Sequence, residues 1–161
     1  MGNITESNKR ILEASDDLDL SRLEGLIDDY NLFADSLNAL LDRRCKEPSP
    51  DGKKMTREKI YARAHMSRTR ITEILNAYRS SSNTKHYKIP SREAVLDICL
   101  AADASLDETN NILKLAGYAE LYPRKRMDSI IYRGLYTNQT TDEIRRQLIL
   151  AGFNDFTRDD M

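Results

Sequence analysis

The chain has 161 residues, 40% of them hydrophobic and 32% charged, with a formal net charge of −1. That length supports one large domain or a small domain with appendages, and the composition is globular and slightly rich in charge. Six Gly and four Pro exclude collagen-like and low-complexity chains, and no apolar run reaches the roughly 18 residues of a membrane span.

The N-terminus, MGNITESNKRILEASDD, has no apolar stretch of signal-peptide length and turns acidic at once. Gly2 after Met1 loosely matches a myristoylation start, but Glu6 stands where that pattern needs Ser or Thr. Cys45 and Cys99 are too far apart to read as a metal or redox pair, and Cys99 lies in an apolar run as a small core residue. A cytoplasmic protein with no disulfide and no membrane partner is expected.

The net charge hides an asymmetry. Residues 1–42 hold three Lys/Arg against ten Asp/Glu, net −7; residues 43–92 hold fourteen against four, net +10; residues 93–161 hold eight against twelve, net −4. A basic block between acidic flanks creates a field suited to a polyanion. The alternative is that the flanks fold back and neutralise the block.

No strand pattern of useful length appears, so an all-α protein is expected. Residues 1–29 form an acidic extension, partly helical, with weak periodicity through Leu18, Leu20, Leu23, Leu26 and Ile27. In NLFADSLNALLDRRC, Phe33, Leu37, Leu40 and Leu41 fall at i, i+4, i+7 and i+8, one buried helical stripe. KEPSPDGKK ends that helix: Pro48 and Pro50 cannot continue it, and Asp51-Gly52 is turn chemistry. Thr56 is placed to cap REKIYARA, whose buried side carries Ile60 and Ala64. Ser67 is placed to cap RTRITEILNAY, whose buried side carries Ile71, Ile74 and Leu75. Two short helices joined by so tight a turn form a helix-turn-helix.

After the loop SSSNTKHYKI, Pro90-Ser91 opens REAVLDICLAA, and Ser105 or Asp107 opens LDETNNILKLAGY, with Gly117 placed to end it in a left-handed conformation. RKRMDSIIYRGLYTN and TTDEIRRQLILAGFNDF complete the chain; Gly134 weakens the former without breaking it. A shift of 35 residues lays Asp107-Glu108 over Asp142-Glu143, Leu113 over Leu148, Ala116-Gly117-Tyr118 over Ala151-Gly152-Phe153, and Leu121 over Phe156. Residues 121–161 are therefore expected to form a helical hairpin repeating the unit at 91–121, a duplicated packing unit rather than a solenoid. The paired carboxylates suit first-turn complements to helix dipoles better than acid–base catalysis.

The second helix of a helix-turn-helix enters the major groove with its N-terminal residues toward base edges. Here the outward residues are Arg68, Thr69, Arg70, Thr72, Glu73 and Asn76. Arg matches guanine, Asn adenine and Glu cytosine, while Thr packs on a thymine methyl. Phosphate contacts are expected from Arg57, Lys59, Ser67 and Arg79, and from Lys85, His86 and Lys88 in the loop, which reads equally as a mobile insertion.

MTREKIYARAHMSRTRITEILNAYR followed by PSREAVLDICLAADASLDETNNILKLAGY resembles the lambda-repressor-like, Xre-type helix-turn-helix domains of bacteria and phages, over roughly residues 31–117. The acidic extension and the later helices look like a subgroup of small Firmicutes regulators. The resemblance implies a helical DNA-binding bundle at residues 30–120, extended by the C-terminal hairpin, and a role in transcription. It puts Arg57, Arg68, Thr69, Arg70 and Asn76 at DNA-facing positions. Three features depart from the family: Tyr61 in place of a small residue, His65 in place of the turn glycine, and the insertion at 80–89.

No catalytic constellation, cofactor motif or metal-ligand spacing appears, and His65 and His86 lack metal-ligand partners. The expected function is thus a sequence-specific transcriptional regulator that docks residues 56–78 on double-stranded DNA and is not an enzyme. The alternative is a protein-interaction adaptor on the same scaffold, meeting a protein partner through its acidic or C-terminal segments. Such domains often act as dimers on two-fold symmetric sites; a homodimer and a monomer both fit the sequence.

Overall fold

The computed structural model describes residues 20–48, 52–64, 66–76 and 90–153, with side chains from residue 32 onward. Among the described residues the fold is all-helical, with seven helices and an isolated β-bridge between Pro48 and Lys54. No described helix is long and apolar enough to cross a membrane.

Helix α1 runs unbroken from Leu20 to Lys46, about 40 Å at the usual rise per residue. This helix spans residue 29, where the acidic, partly helical extension is expected to meet the bundle. Nothing in this stretch stops a helix: it has no Pro, and the single Gly25 costs only about 1 kcal/mol relative to Ala. Its last turn carries Arg43, Arg44 and Lys46, which complement the carbonyl end of the helix dipole.

Helices α2 (Arg57–Arg63) and α3 (Arg68–Asn76) are short, and each opens on a hydroxyl cap. The Thr56 side chain accepts from the Lys59 N–H at 3.3 Å, and the Ser67 side chain accepts from the Arg70 N–H at 3.1 Å. The α1 stripe of Phe33, Leu37, Leu40 and Leu41 is buried together with Ile60 and Ala64 of the α2 segment and Ile71, Ile74 and Leu75 of α3. Tyr61 joins this core. The bulk that sets it apart from a small residue is therefore spent on packing.

Helix α4 (Arg92–Ala101), capped by Ser91, is buried on every side from Ala94 to Ala101. It lies between α2 and α5 (Leu106–Leu115), and α5 lies against α1. The Cys99 thiol is buried on this helix; desolvation, with a smaller push from Glu108, raises its pKa to about 12.

The second hairpin, α6 (Arg126–Tyr136) and α7 (Thr141–Leu150), repeats the first in detail. Ser105 with Glu108 and Thr140 with Glu143 form matching capping boxes. Asp103 (φ 51°) and Asn138 (φ 54°) hold the same left-handed turn position, as do Gly117 (φ 83°) and Gly152 (φ 92°) after the second helix of each pair. The closing bonds match too: Tyr118 N–H donates to Leu113 C=O and Phe153 N–H to Leu148 C=O, each at 2.9 Å. Gly134 is a close-approach site. A Cβ there would fall on the Ile144 side chain, so glycine lets α6 and α7 meet.

Three polar bridges join the hairpins. Arg92 grips Asp128 with two bonds of 2.8 and 2.9 Å. Buried Asp97 accepts from Arg145. Thr141 donates to the Leu100 carbonyl at 2.6 Å and to Asp103 at 2.9 Å. Ile131, Ile144 and Leu148 belong to the same core cluster as Leu96, Ile98 and Leu113, so the core continues across residue 121.

Candidate nucleic-acid interface

Helix α3 owes its orientation to its apolar side. Ile71, Ile74 and Leu75 are drawn inward, and the remaining positions turn to water. Arg68, Thr69, Thr72, Glu73 and Asn76 are exposed, and Arg70 is half-buried. The Ser67 cap leaves the first turn of the helix facing outward, with Arg68 at its head. Thr72 spends its hydroxyl proton on the Arg68 carbonyl at 2.8 Å, which leaves its methyl and an acceptor lone pair outward. Half-buried Arg70 and exposed Glu73 stand 3.8 Å apart, a pair of little energetic weight.

The expected phosphate contacts separate into three groups. Arg57 turns back onto α1, donating to Asp42 at 2.6 Å and to the Asn38 side chain at 3.1 Å. Its hydrogen bond holds the Asp42 carboxyl below the usual carboxylate range. Lys59 is exposed and donates to the Lys54 carbonyl at 2.9 Å. Ser67 is exposed and occupied as the α3 cap. Arg79, Lys85, His86 and Lys88, the whole insertion at 80–89 and the turn residue His65 lie outside the described residues.

Part of the basic block is consumed internally. Arg43 pairs with Glu47 and Glu108, Arg44 and Arg63 share Asp103, Arg57 takes Asp42, and Arg92 takes Asp128. Four of these five acids, Asp42, Asp103, Glu108 and Asp128, come from the acidic flanks. Burial works to raise the Asp103 carboxyl, but hydrogen bonds from Arg63 and Arg44, then Thr141, outweigh it and hold the pKa below the ordinary value. Asp103 thus ties α1, α2 and α7 to the turn after α4. No sequence pattern marks this hub, because its partners are 38 to 59 residues away.

Arg124, Lys125 and Arg126 are all exposed, and among the described residues none of them forms an ion pair. The sequence pattern places them at the head of a helix; their adjacency is the signal that marks them.

A scan against protein-family models and searches of curated proteins and of solved structures return no match. The site therefore rests on its own geometry.

Proposed function

We propose that the chain is a sequence-specific transcriptional regulator of the lambda-repressor-like type, working in the cytoplasm on double-stranded DNA. In this reading α2 and α3 are the helix-turn-helix, α3 lies in the major groove, and no catalysis is involved. The observation that carries it is the division of α3. Its Ile and Leu side chains are buried while Arg68, Thr69, Thr72, Glu73 and Asn76 stand in water behind a serine cap. Those outward groups are the donors, acceptors and methyls that distinguish base pairs in the major groove.

The test is selection of bound sites from random-sequence duplexes by the full chain. A defined motif should emerge, bound with affinity that falls steeply as salt rises. Arg68→Ala should relax discrimination at one position of that motif, by about 1–3 kcal/mol. No enriched motif, or enrichment indifferent to Arg68, overturns the reading.

A second reading has its own support in the Arg57–Asp42 pair and the internal use of Arg43, Arg44, Arg63 and Arg92. These spend charge that a DNA-binding face would present. In this reading the scaffold is a protein-interaction adaptor. A defined protein partner in a pulldown, with no enriched duplex, selects it.

A further inference from the structure

The connection between the two hairpins, residues 116–125, is held at several points. Arg92 donates to the Ala119 carbonyl at 3.2 Å and to the Glu120 carbonyl at 3.2 Å. Leu121 is buried, and its N–H donates to the Asn110 side chain at 3.0 Å. The Tyr122 N–H donates to Asp128 at 2.9 Å, and the Lys125 N–H closes a turn onto the Tyr122 carbonyl at 3.0 Å. On this fixed turn stand Arg124, Lys125 and Arg126, all exposed, beside the exposed ring of Tyr122.

The nearby acids are already committed. Glu120 pairs with Lys114 at 2.9 Å. Asp128, only 2% exposed, is neutralised by the two-pronged Arg92; Lys125 adds a weaker attraction to it. Among the described residues, Arg43, Arg44, Arg57, Arg63 and Arg92 are spent on carboxylates. Residues 124–126 form no such pair, and they stand together on a backbone held by hydrogen bonds. Cations carried on an ordered backbone suit phosphate because no backbone freedom is lost on contact. The cluster also lies near the N-terminal end of α4, through the Arg92–Asp128 bridge.

We propose that Arg124, Lys125 and Arg126 form a second contact with the phosphate backbone of duplex DNA, outside the α3 footprint. It reads no sequence. It adds affinity and fixes the protein on the duplex through the C-terminal hairpin, which then belongs to the binding surface and is more than a packing unit. This inference rests on the DNA-binding reading given above.

The experiment measures binding of the full chain to a mixed-sequence duplex across a salt series. It compares wild type, the triple variant Arg124→Gln/Lys125→Gln/Arg126→Gln, and Arg68→Ala, with the single Lys125→Glu as a milder check and circular dichroism to confirm folding. Each lost phosphate contact lowers the slope of log affinity against log salt by about 0.9, so the triple variant should lose about 2 to 3 from that slope. Its preference for a selected motif over mixed sequence should stay unchanged. A slope unchanged in the triple variant, while Arg68→Ala relaxes the motif, overturns this proposal and leaves the regulator reading standing. The reverse result, a reduced slope with Arg68→Ala silent, supports the phosphate contact and overturns the role of α3. Failure of wild type to bind any duplex overturns both. A triple variant that loses binding only to vesicles of anionic phospholipid, and not to duplex, overturns the proposal in favour of a membrane surface.

Discussion

The two C-terminal hairpins have matching caps, matching turns and a common 35-residue frame, yet they live in different surroundings. Helix α4 is buried all round, whereas its counterpart α6 buries only Asp128, Ile131 and Gly134. Asp97 and Ala101 of the first hairpin correspond to Tyr132 and Tyr136 of the second. The former are fully buried; the latter stack ring on ring, with centroids 6.2 Å apart, and Tyr136 is 71% exposed. Local signals therefore determine where helices begin and end, and neighbours determine what each face does. The first hairpin is clasped between the N-terminal helices and the second hairpin. The second, among the described residues, packs from one direction.

The largest test of that difference is Asp97→Ala. It leaves the Arg145 guanidinium, whose side chain is 12% exposed, without its charged partner, a loss of about 3–5 kcal/mol for a broken buried pair. Urea unfolding followed by circular dichroism measures it. Tyr132→Ala, the matching change in the second hairpin, removes a half-buried ring and should cost about 1–2 kcal/mol. Equal losses at the two positions would break the comparison, since they would give the outer helix the same structural weight as the central one.

Asp103 and Asn138 offer a finer contrast, because they share a left-handed backbone and differ in charge. Asp103→Asn keeps the turn, as Asn138 demonstrates, and removes the carboxylate that Arg44 and Arg63 share. The expected loss at neutral pH is about 1–3 kcal/mol. The pH dependence has a definite sign. The folded pKa of Asp103 lies below its unfolded value of about 3.9. Its contribution is thus complete above that value and disappears as pH falls through the lower folded one. Asp103→Asn should flatten the acid limb of the stability profile below about pH 4 relative to wild type. An unchanged acid limb would mean that the carboxylate does not carry the link between α1, α2 and the hairpins.

Much of this architecture is legible in the chain, and the reasons are local. Phe33, Leu37, Leu40 and Leu41 declare one face of α1 by their spacing, and Ile71, Ile74 and Leu75 do the same for α3. Because those positions point inward, outward places for Arg68, Thr69, Thr72, Glu73 and Asn76 follow from helix geometry, while Arg70, expected outward with them, is half-buried. Thr56 and Ser67 announce helix starts by a hydroxyl three residues before the N–H it caps. The repeat shows in Ala-Gly-aromatic at 116–118 and 151–153 because only a small set of residues closes such a turn. Long-range pairing is what local reasoning misses. Arg57, expected at a phosphate, also bonds Asn38 and Asp42 on α1, a pairing that no local pattern reveals. Residues 1–29 read as a partly helical extension because their periodicity is weak, and that weakness gives no sign that one helix runs from Leu20 to Lys46.

The smallest expected effect is the most direct probe of one-sided packing. Leu115 and Leu150 close the last turns of α5 and α7 at equivalent positions. Leu115 packs against the core cluster, while Leu150 is 80% exposed. Helix α5 packs against α1, where Ser36, Ala39 and Leu40 line a cavity with Glu108, Asn111 and Ile112. The matching α7 positions, Glu143, Arg146 and Gln147, are exposed or half-exposed. Leu and Ala have nearly equal helix propensity, so burial alone should decide each outcome. Leu115→Ala should cost about 1–2 kcal/mol, and Leu150→Ala should stay within about 0.5 kcal/mol of wild type. Thermal melts of the two variants suffice to separate them. A loss at Leu150 as large as that at Leu115 would mean that the outer face of α7 is covered in solution, and that the asymmetry between the hairpins is not a property of the isolated chain.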